Sequence, residues 1–283
     1  MKTIEILNLL RIKDWLKNII IFFPIVFSGL LSEYSNYTHL LIGFIFFSIV
    51  SSIIYIINDI LDIEVDRLHP TKKFSKPLAS GTIKLNFAYL VLIFLSIVSF
   101  SSLIFLPSII YNLILYLLLS LAYNFYFKRI PIIELIILSL GYVIRIDAGS
   151  TLIKVESSIS MIVATFFLAM FFLTIKRLSE LNQPEISLTN LTRDVLKFYK
   201  KIYLKFASLI CGLILILILI LYAIHNNMNL LISIFIISVF LFRYYYLARN
   251  NTSGENPINF IFKYKSLLFL SILSLFFILI FYF

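Results

Sequence analysis

Between Thr38 and Ile57 the chain runs for twenty residues without a charge, and apolar runs of similar length recur up to Phe283. A helix needs ~20 such residues to cross ~30 Å of hydrocarbon. The recurrence therefore predicts an all-α, polytopic membrane protein. Composition agrees: 61% of the residues are hydrophobic and 13% charged, and a chain of this length cannot hide that much apolar surface in a water-soluble core. Nine spans are expected, near 16–31, 38–57, 86–106, 108–127, 131–150, 157–175, 206–224, 229–247 and 266–283. Pro24 should kink or tilt the first, and Pro107 and Pro131 should mark tight joints between helices.

Nine spans place successive loops on alternate sides. One side then collects 22 of the 24 lysines and arginines; Lys154 falls opposite, and Arg145 lies inside a span. Basic loops stay in the cytoplasm, so the N-terminus and the polar loops 58–85 and 176–205 are expected there, with the protein in the plasma membrane. The net charge of +10 is thereby read as topology and attraction for an anionic substrate, not for nucleic acid. Lone Cys211, inside an apolar run, excludes a disulfide framework or a cysteine metal site. Three scattered histidines argue against a histidine centre. The stretch from Lys2 to Lys17 leads into a run that belongs to the fold, so no cleavable signal peptide is expected. Without linkers or short repeats, residues 1–283 read as one domain.

The densest polar segment follows the second span: Asn58-Asp59-Ile60-Leu61-Asp62-Ile63-Glu64-Val65-Asp66-Arg67, and then Lys72, Lys73 and Lys76. Asp59, Asp62 and Asp66 stand at i, i+3 and i+7, one face of a helix. Carboxylates so clustered repel one another unless a cation sits between them. Mg²⁺ suits them, a hard ion that takes carboxylate and phosphate oxygens together. The bases after Asp66 suit the remaining phosphate oxygens. A Mg²⁺-bridged diphosphate site is one reading; a wetted helix end with its acids paired to nearby lysines is the other.

Four further groups carry polar chemistry. Arg11, Lys13, Asp14, Trp15, Lys17 and Asn18 enter the first span, either as interfacial anchors or with Lys17 and Asn18 reaching a ligand. Tyr55 precedes the aspartates by one helical turn. Arg145 lies deep in the fifth span, where an ionised group faces a cavity or a partner; Asp147 or Glu134 could pair with it, or it could hold a phosphate. Lys176, Arg177 and Glu180 end the sixth span, and Lys128 with Arg129 ends the fourth. These read either as bases favoured at helix C-termini or as further polar wall of a site.

Together these residues resemble the UbiA prenyltransferase superfamily, whose first aspartate-rich motif follows the second of nine membrane helices. The closer likeness is to its polyprenyl-phosphate phosphoribosyltransferase branch. It rests on Trp15-Leu16-Lys17-Asn18, Asp66-Arg67-Leu68-His69-Pro70-Thr71-Lys72, Pro77-Leu78-Ala79-Ser80-Gly81, Arg145 with Ala148-Gly149, and Lys176-Arg177-Leu178-Ser179-Glu180-Leu181. The resemblance implies a helix bundle with a cytoplasmic-facing cavity, phosphoribosyl diphosphate as donor, a polyprenyl phosphate as acceptor, and a possible homo-oligomer. It implies Mg²⁺ on Asp59, Asp62 and Asp66, with Asp66 also a candidate to orient a ribose hydroxyl. Phosphate and substrate contacts then fall to Lys17, Asn18, Tyr55, Asn58, Arg67, Lys72, Lys73, Lys128, Arg145, Lys176, Arg177 and Glu180.

Members that prenylate aromatic acceptors carry a second Asp-x-x-x-Asp motif after the sixth helix. This chain has there only Glu180, Glu185 and Asp194, widely spaced, which favours a phosphoribosyl over a prenyl donor. Lys76 stands where an arginine commonly precedes the proline. The rival readings are a prenyl transfer to an aromatic or glycerol-phosphate acceptor and, more remotely, a transporter. A transporter should show inverted repeats or interrupted helices with midspan polar pairs.

Overall fold

The computed structural model describes residues 3–68, 72–183, 194–252 and 257–282. Every regular element among them is helical. In chain order they are α1 (Thr3–Leu9), a 3-10 run (Ile12–Phe22), α2 (Phe23–Phe27), α3 (Tyr34–Leu61), α4 (Ile63–Leu68), α5 (Lys72–Ser75), α6 (Leu85–Phe100), α7 (Ser102–Phe105), a 3-10 turn (Pro107–Ile109) and α8 (Ile110–Phe125). A 3-10 turn (Phe127–Arg129), α9 (Ile133–Leu152), α10 (Ile159–Leu181), a 3-10 turn (Asp194–Phe198), α11 (Lys201–Asn226), α12 (Leu230–Ala248), α13 (Pro257–Lys263) and α14 (Lys265–Tyr282) follow.

Six of these helices are long and apolar enough to cross a membrane, and a seventh span results if α13 and α14, bent by 104° at Tyr264, count as one. The expected first and third spans take shorter forms. Residues 16–31 fall on the 3-10 run and α2, where Pro24 sits in the first turn of α2, the position at which a missing N–H costs least. Residues 86–106 are divided between α6, sixteen residues long, and α7. The break falls in a serine-rich stretch where Ser99, Ser101 and Ser102 each donate a hydroxyl to a carbonyl three residues back, and such bonds compete with the helical ladder.

The chain divides into two compact units, one of Met1–Tyr126 with Ile144–Glu156, the other of Phe127–Val143 with Ser157–Phe283. In the first, α3 is the central element. Its buried residues Leu40, Phe47, Val50 and Ile53 share a core with Ile21 and Ile25, with Ile109 and Leu113, and with Ile144 and Leu152. Gly149 permits the closest backbone approach. A Cβ there would stand 2.1 Å from the Ile21 carbonyl oxygen, so only glycine fits. A smaller cluster of Leu9, Ile56, Leu78, Ile83 and Ala88 lies toward the Asp59 end of α3.

The second unit packs α10, α11, α12, α13 and α14 around Phe171, Ile175, Leu215, Phe240, Leu241, Tyr244 and Phe260. Phe172 and Phe260 meet the Tyr244 ring edge-on, with centroids 4.9 and 5.0 Å away, the preferred geometry for aromatic pairs. The Tyr244 hydroxyl is buried and has no hydrogen-bond partner.

Candidate functional site

In the first unit the aspartates gather at the end of α3, although the helix does not run unbroken through them. Asp59 is its last buried residue. Asp62 is the C-cap, with its backbone at φ −98° and ψ 7°, and α4 restarts at Ile63. The hydrogen bonds of the Asp62 N–H to Asn58 O (3.0 Å) and of the Asp66 N–H to Asp62 O (2.8 Å) keep the helical spacing across this step. Asp59 and Asp66 are buried, and Asp62 is half-buried.

The cation between the carboxylates is Lys76. Its ammonium lies 2.8 Å from Asp59 Oδ1 and also donates to Asp66 Oδ2. The turn after Pro77 holds it there. Leu78 and Ile83 bury in the small core, the Ser80 N–H donates to Lys76 O (2.9 Å) and the Ile83 N–H to Pro77 O (3.2 Å). Gly81 takes φ +75°, a conformation that glycine reaches without strain.

A second cation reaches the same oxygen from far away in the chain. Arg11 Nη2 donates to Asp59 Oδ1 at 2.6 Å, and its guanidinium lies 4.7 Å from the centroid of the Tyr55 ring. Arg11 itself has φ +50°, a left-handed conformation costly for a residue with a Cβ. Strain of that kind persists where the surroundings over-determine it. Here the 3-10 run that begins at the next residue is tied to α3 by Trp15 Nε1–H to Ser52 Oγ (3.0 Å) and Asn18 Nδ2–H to Ser48 Oγ (3.0 Å).

Arg145 belongs to a neighbouring buried network in the same unit. Its Nε–H donates to Asn18 Oδ1 (2.6 Å) and its Nη2–H to the Tyr116 hydroxyl (2.7 Å). Ser51 Oγ lies 3.2 Å from that hydroxyl. Asp147 accepts from Asn112 Nδ2 at 2.8 Å. Lys17 pairs with Asp14 at 2.5 Å and sits 5.9 Å from the Tyr55 ring centroid. Lys17, Asn18, Tyr55, Asn58, Asp59, Asp62, Asp66 and Arg145 thus all belong to this unit. Arg67 and Lys73 belong to it as well but are exposed, Arg67 at 3.6 Å from exposed Glu64 and Lys73 over the Phe74 ring. His69, Pro70, Thr71 and the Lys72 side chain lie outside the described residues.

In the second unit Arg177 is fully buried between two glutamates. Its Nε–H and Nη2–H donate to Glu134 Oε1 and Oε2 at 2.7 and 2.6 Å, and its Nη1 to both oxygens of Glu180 at 2.8 and 2.6 Å. A guanidinium so engaged on both sides is a planar fork matched to two carboxylates. Its contacts hold the start of α9 to the end of α10. Tyr199 joins the group from the segment before α11. Its hydroxyl accepts the Ile132 N–H at 2.8 Å, and Ile132 has φ +68°. Burial first, and then the Glu134 carboxylate, push the Tyr199 phenol up to about 12, so it stays neutral throughout the physiological range. Lys176 and Lys128 are half-buried in this unit. Glu185 and the Asp194 side chain lie outside the described residues.

Lys76, Arg11 and Glu134 take places here that the sequence does not single out. Lys76 was visible only as one base in a cluster, and Arg11 as one of several anchors. Glu134 is expected at most as a partner of Arg145; the structure gives it to Arg177 instead.

Carboxylate oxygens from Asp59 and Asp66 converge on one cation, and Mg²⁺ takes one or two protein carboxylates with substrate phosphates completing its shell. The donor set therefore fits a magnesium ion carried with a diphosphate. Among the described residues no group of three or more histidine, cysteine, aspartate or glutamate side chains stands ready to hold a metal without such a ligand.

The family model described as the UbiA prenyltransferase family matches residues 21–273. A Mycobacterium tuberculosis (strain H37Rv) protein named decaprenyl-phosphate phosphoribosyltransferase is 31% identical over 207 residues, 71% of this chain and 68% of that protein. A Corynebacterium glutamicum protein of the same name is 32% identical over 205 residues, 70% of this chain and 60% of that one. Among solved structures, a UbiA homologue from Archaeoglobus fulgidus bound to GPP and Mg²⁺ superposes with a TM-score of 0.70 at 20% identity, covering 97% of this chain and 96% of the other. On the match across nearly its whole length, the chain belongs to the UbiA prenyltransferase family.

Proposed function

We propose that the protein transfers 5-phosphoribose from phosphoribosyl diphosphate to a polyprenyl phosphate. The observation that carries this reading is the environment of Glu180. It stands at the head of the region where aromatic-prenylating members carry their second aspartate motif, and both its oxygens are held by Arg177. That carboxylate is committed to an ion pair, which among the described residues favours the Asp59/Asp66 cluster as the acidic centre for a diphosphate. The shared name of the mycobacterial and corynebacterial relatives supports the same donor and acceptor.

In this reaction an oxygen of the polyprenyl phosphate attacks C1 of the ribose, the C1–O bond to diphosphate breaks, and diphosphate leaves with the electron pair. Charge grows on the leaving group, so catalysis needs positive groups already in place. Asp59 and Asp66, with Asp62 beside them, would hold Mg²⁺, which would supply Lewis-acid stabilisation of that charge. Arg11 and Lys76 stand at the same carboxylates and provide two further positive charges. The attacking phosphate is already an anion and needs no strong general base. Arg145, held by Asn18 and Tyr116, adds a buried positive charge within the bundle. Arg177 has its donors engaged and acts by positioning the start of α9 and the end of α10.

We assign residues 1–283 to one functional domain with nine crossings and a cytoplasmic-facing cavity that takes the donor. The family match runs through both units, which supports this. Arg11 pairs at the Asp59 end of α3, while Leu31 O accepts from Tyr37 Oη–H at its other end. The chain between them therefore runs alongside α3 from Asp59 to Tyr37, about 33 Å at 1.5 Å per residue, which supports a crossing. A 3-10 run rises ~2.0 Å per residue, which is how so short a segment covers the distance. The placement of Lys76 at the Asp59 end and of Ile109 beside Gly43, about 24 Å further along α3 at 1.5 Å per residue, supports a crossing by α6 and α7 as well.

The test is direct. Purified protein given labelled phosphoribosyl diphosphate, a polyprenyl phosphate and Mg²⁺ is expected to form a labelled lipid. No labelled lipid, together with turnover of a prenyl diphosphate on an aromatic acceptor, overturns the proposal in favour of prenyl transfer.

A further inference from the structure

Asp59 Oδ1 accepts from two cations at once, Arg11 at 2.6 Å and Lys76 at 2.8 Å, and Lys76 also holds Asp66. The four groups that touch one another carry two negative and two positive charges, and both carboxylates are buried. A divalent cation arriving alone at these carboxylates would have to displace Lys76 or raise the local charge to +2 in a poorly solvated place. A diphosphate arriving alone would meet two carboxylates. Neither separate step is favourable. Together they are, because the carboxylates turn to the metal while the freed ammonium and guanidinium turn to diphosphate oxygens, each gaining a charge-assisted hydrogen bond.

From this geometry we infer that Arg11 and Lys76 are exchange cations, which neutralise the Asp59 and Asp66 carboxylates before substrate arrives and make metal binding depend on diphosphate binding. The inference deepens the proposed function and rests on it for the presence of a diphosphate at this centre, but not for the sugar attached. Lys76 suits the exchange. Its ammonium is on a flexible stem, is about one-sixth exposed, and is fixed at its backbone by the Pro77–Ile83 turn, so the head can move while the root stays. Arg11 enters from the strained residue that opens the 3-10 run, and the Tyr55 face 4.7 Å away offers its guanidinium a resting place when Asp59 turns to the metal.

The exchange makes a thermodynamic statement with a reciprocal sign: diphosphate tightens the metal and the metal tightens diphosphate by the same factor. The full-length protein in detergent is titrated with Mn²⁺, followed by electron paramagnetic resonance, with and without inorganic diphosphate. Free Mn²⁺-diphosphate complex is measured in parallel and subtracted. For the wild type, diphosphate is expected to tighten Mn²⁺ binding by about tenfold or more, within the usual range for coupled sites. Lys76→Met removes one exchange cation, so Mn²⁺ should bind several-fold tighter without diphosphate and the coupling factor should shrink. Lys76→Arg keeps the charge and should keep the coupling. Arg11→Gln should shift both quantities in the direction of Lys76→Met, which secures the test if the methionine variant does not fold.

Equal Mn²⁺ affinity with and without diphosphate in the wild type overturns the inference. So does a coupling factor unchanged in both Lys76→Met and Arg11→Gln. Inorganic diphosphate is common to phosphoribosyl and prenyl donors, so neither outcome bears on which donor is used, and the labelled-lipid assay decides that separately.

Discussion

Replacing Asp59 with asparagine keeps the side chain's size and removes the charge on which Arg11 and Lys76 converge. Two cations then face a neutral amide, and the metal loses a carboxylate. The variant should remain folded, because the adjoining core of Leu9, Ile56 and Leu78 is untouched. Its labelled-lipid formation should fall by about 100-fold or more, the usual scale for losing one charge-stabilising group. A monodisperse Asp59→Asn protein with near-wild-type turnover would remove Asp59 from the chemistry. Tyr244 makes the opposite case in the second unit. Its hydroxyl is buried among Phe171, Phe172, Phe240 and Phe260 without a partner. An unsatisfied buried hydroxyl costs on the order of 1–3 kcal/mol. Tyr244→Phe should therefore melt at the same temperature as the wild type or higher in detergent, and a clear loss would mean that the hydroxyl has a partner.

At the level of elements, two contacts decide how helices meet. Gly149→Ala puts a Cβ 2.1 Å from the Ile21 carbonyl oxygen, and that neighbour is backbone. Gly43→Ala meets Leu152 Cδ1 at 2.4 Å, the movable end of a side chain. The first should lower the melting temperature markedly, by about 1–3 kcal/mol or more in stability, and the second less. The reverse order would contradict the packing. In the second unit, Arg177→Met leaves Glu134 and Glu180 buried and unpaired, which should cost ~3–5 kcal/mol. Arg177→Lys should recover only part, because an ammonium cannot serve two carboxylates bidentately.

These contacts also show where the sequence was legible. The long apolar helices α3, α9, α10, α11 and α12 follow directly from run length, as does the clustering of Asp59 and Asp66 from helical spacing. Acids so clustered need a cation between them, and here Lys76 is that cation, the pairing with a nearby lysine that the sequence also allows. Which base it would be was not legible, since Lys72, Lys73 and Lys76 differ only in how the turn after Pro77 aims them. Arg11 was read among anchors because its partner lies 48 residues away and is reached through a left-handed residue no pattern announces. Glu134 and Arg177, 43 residues apart, likewise meet only once α9 and α10 are packed. The 3-10 form of residues 12–22 departs from the expected helix for a related reason. Its hydrogen bonds to Ser48 and Ser52 are tertiary, and local apolar periodicity does not encode them.

For the whole molecule, the distribution of charge makes a claim that the ion pairs sharpen. With nine crossings, 22 of the 24 basic residues fall on one side. If α3 crossed and the 3-10 run with α2 did not, Arg11 and Asp59 would lie on opposite faces of the membrane. They are 2.6 Å apart, which supports the proposed crossing of the 3-10 run with α2. Under the proposed nine-span topology the positive side is the cytoplasmic one. In a Cys211→Ser background, single cysteines at Lys73, Lys154 and Lys200, all exposed, should separate cleanly. Lys154→Cys should react with a membrane-impermeant maleimide in intact cells. Lys73→Cys and Lys200→Cys should react only after permeabilisation. Reaction of Lys73→Cys from outside, with Lys200→Cys protected, would place the Asp59 cluster on the outer face, away from a cytosolic phosphoribosyl donor, and would defeat both the nine-span topology and the function built on it.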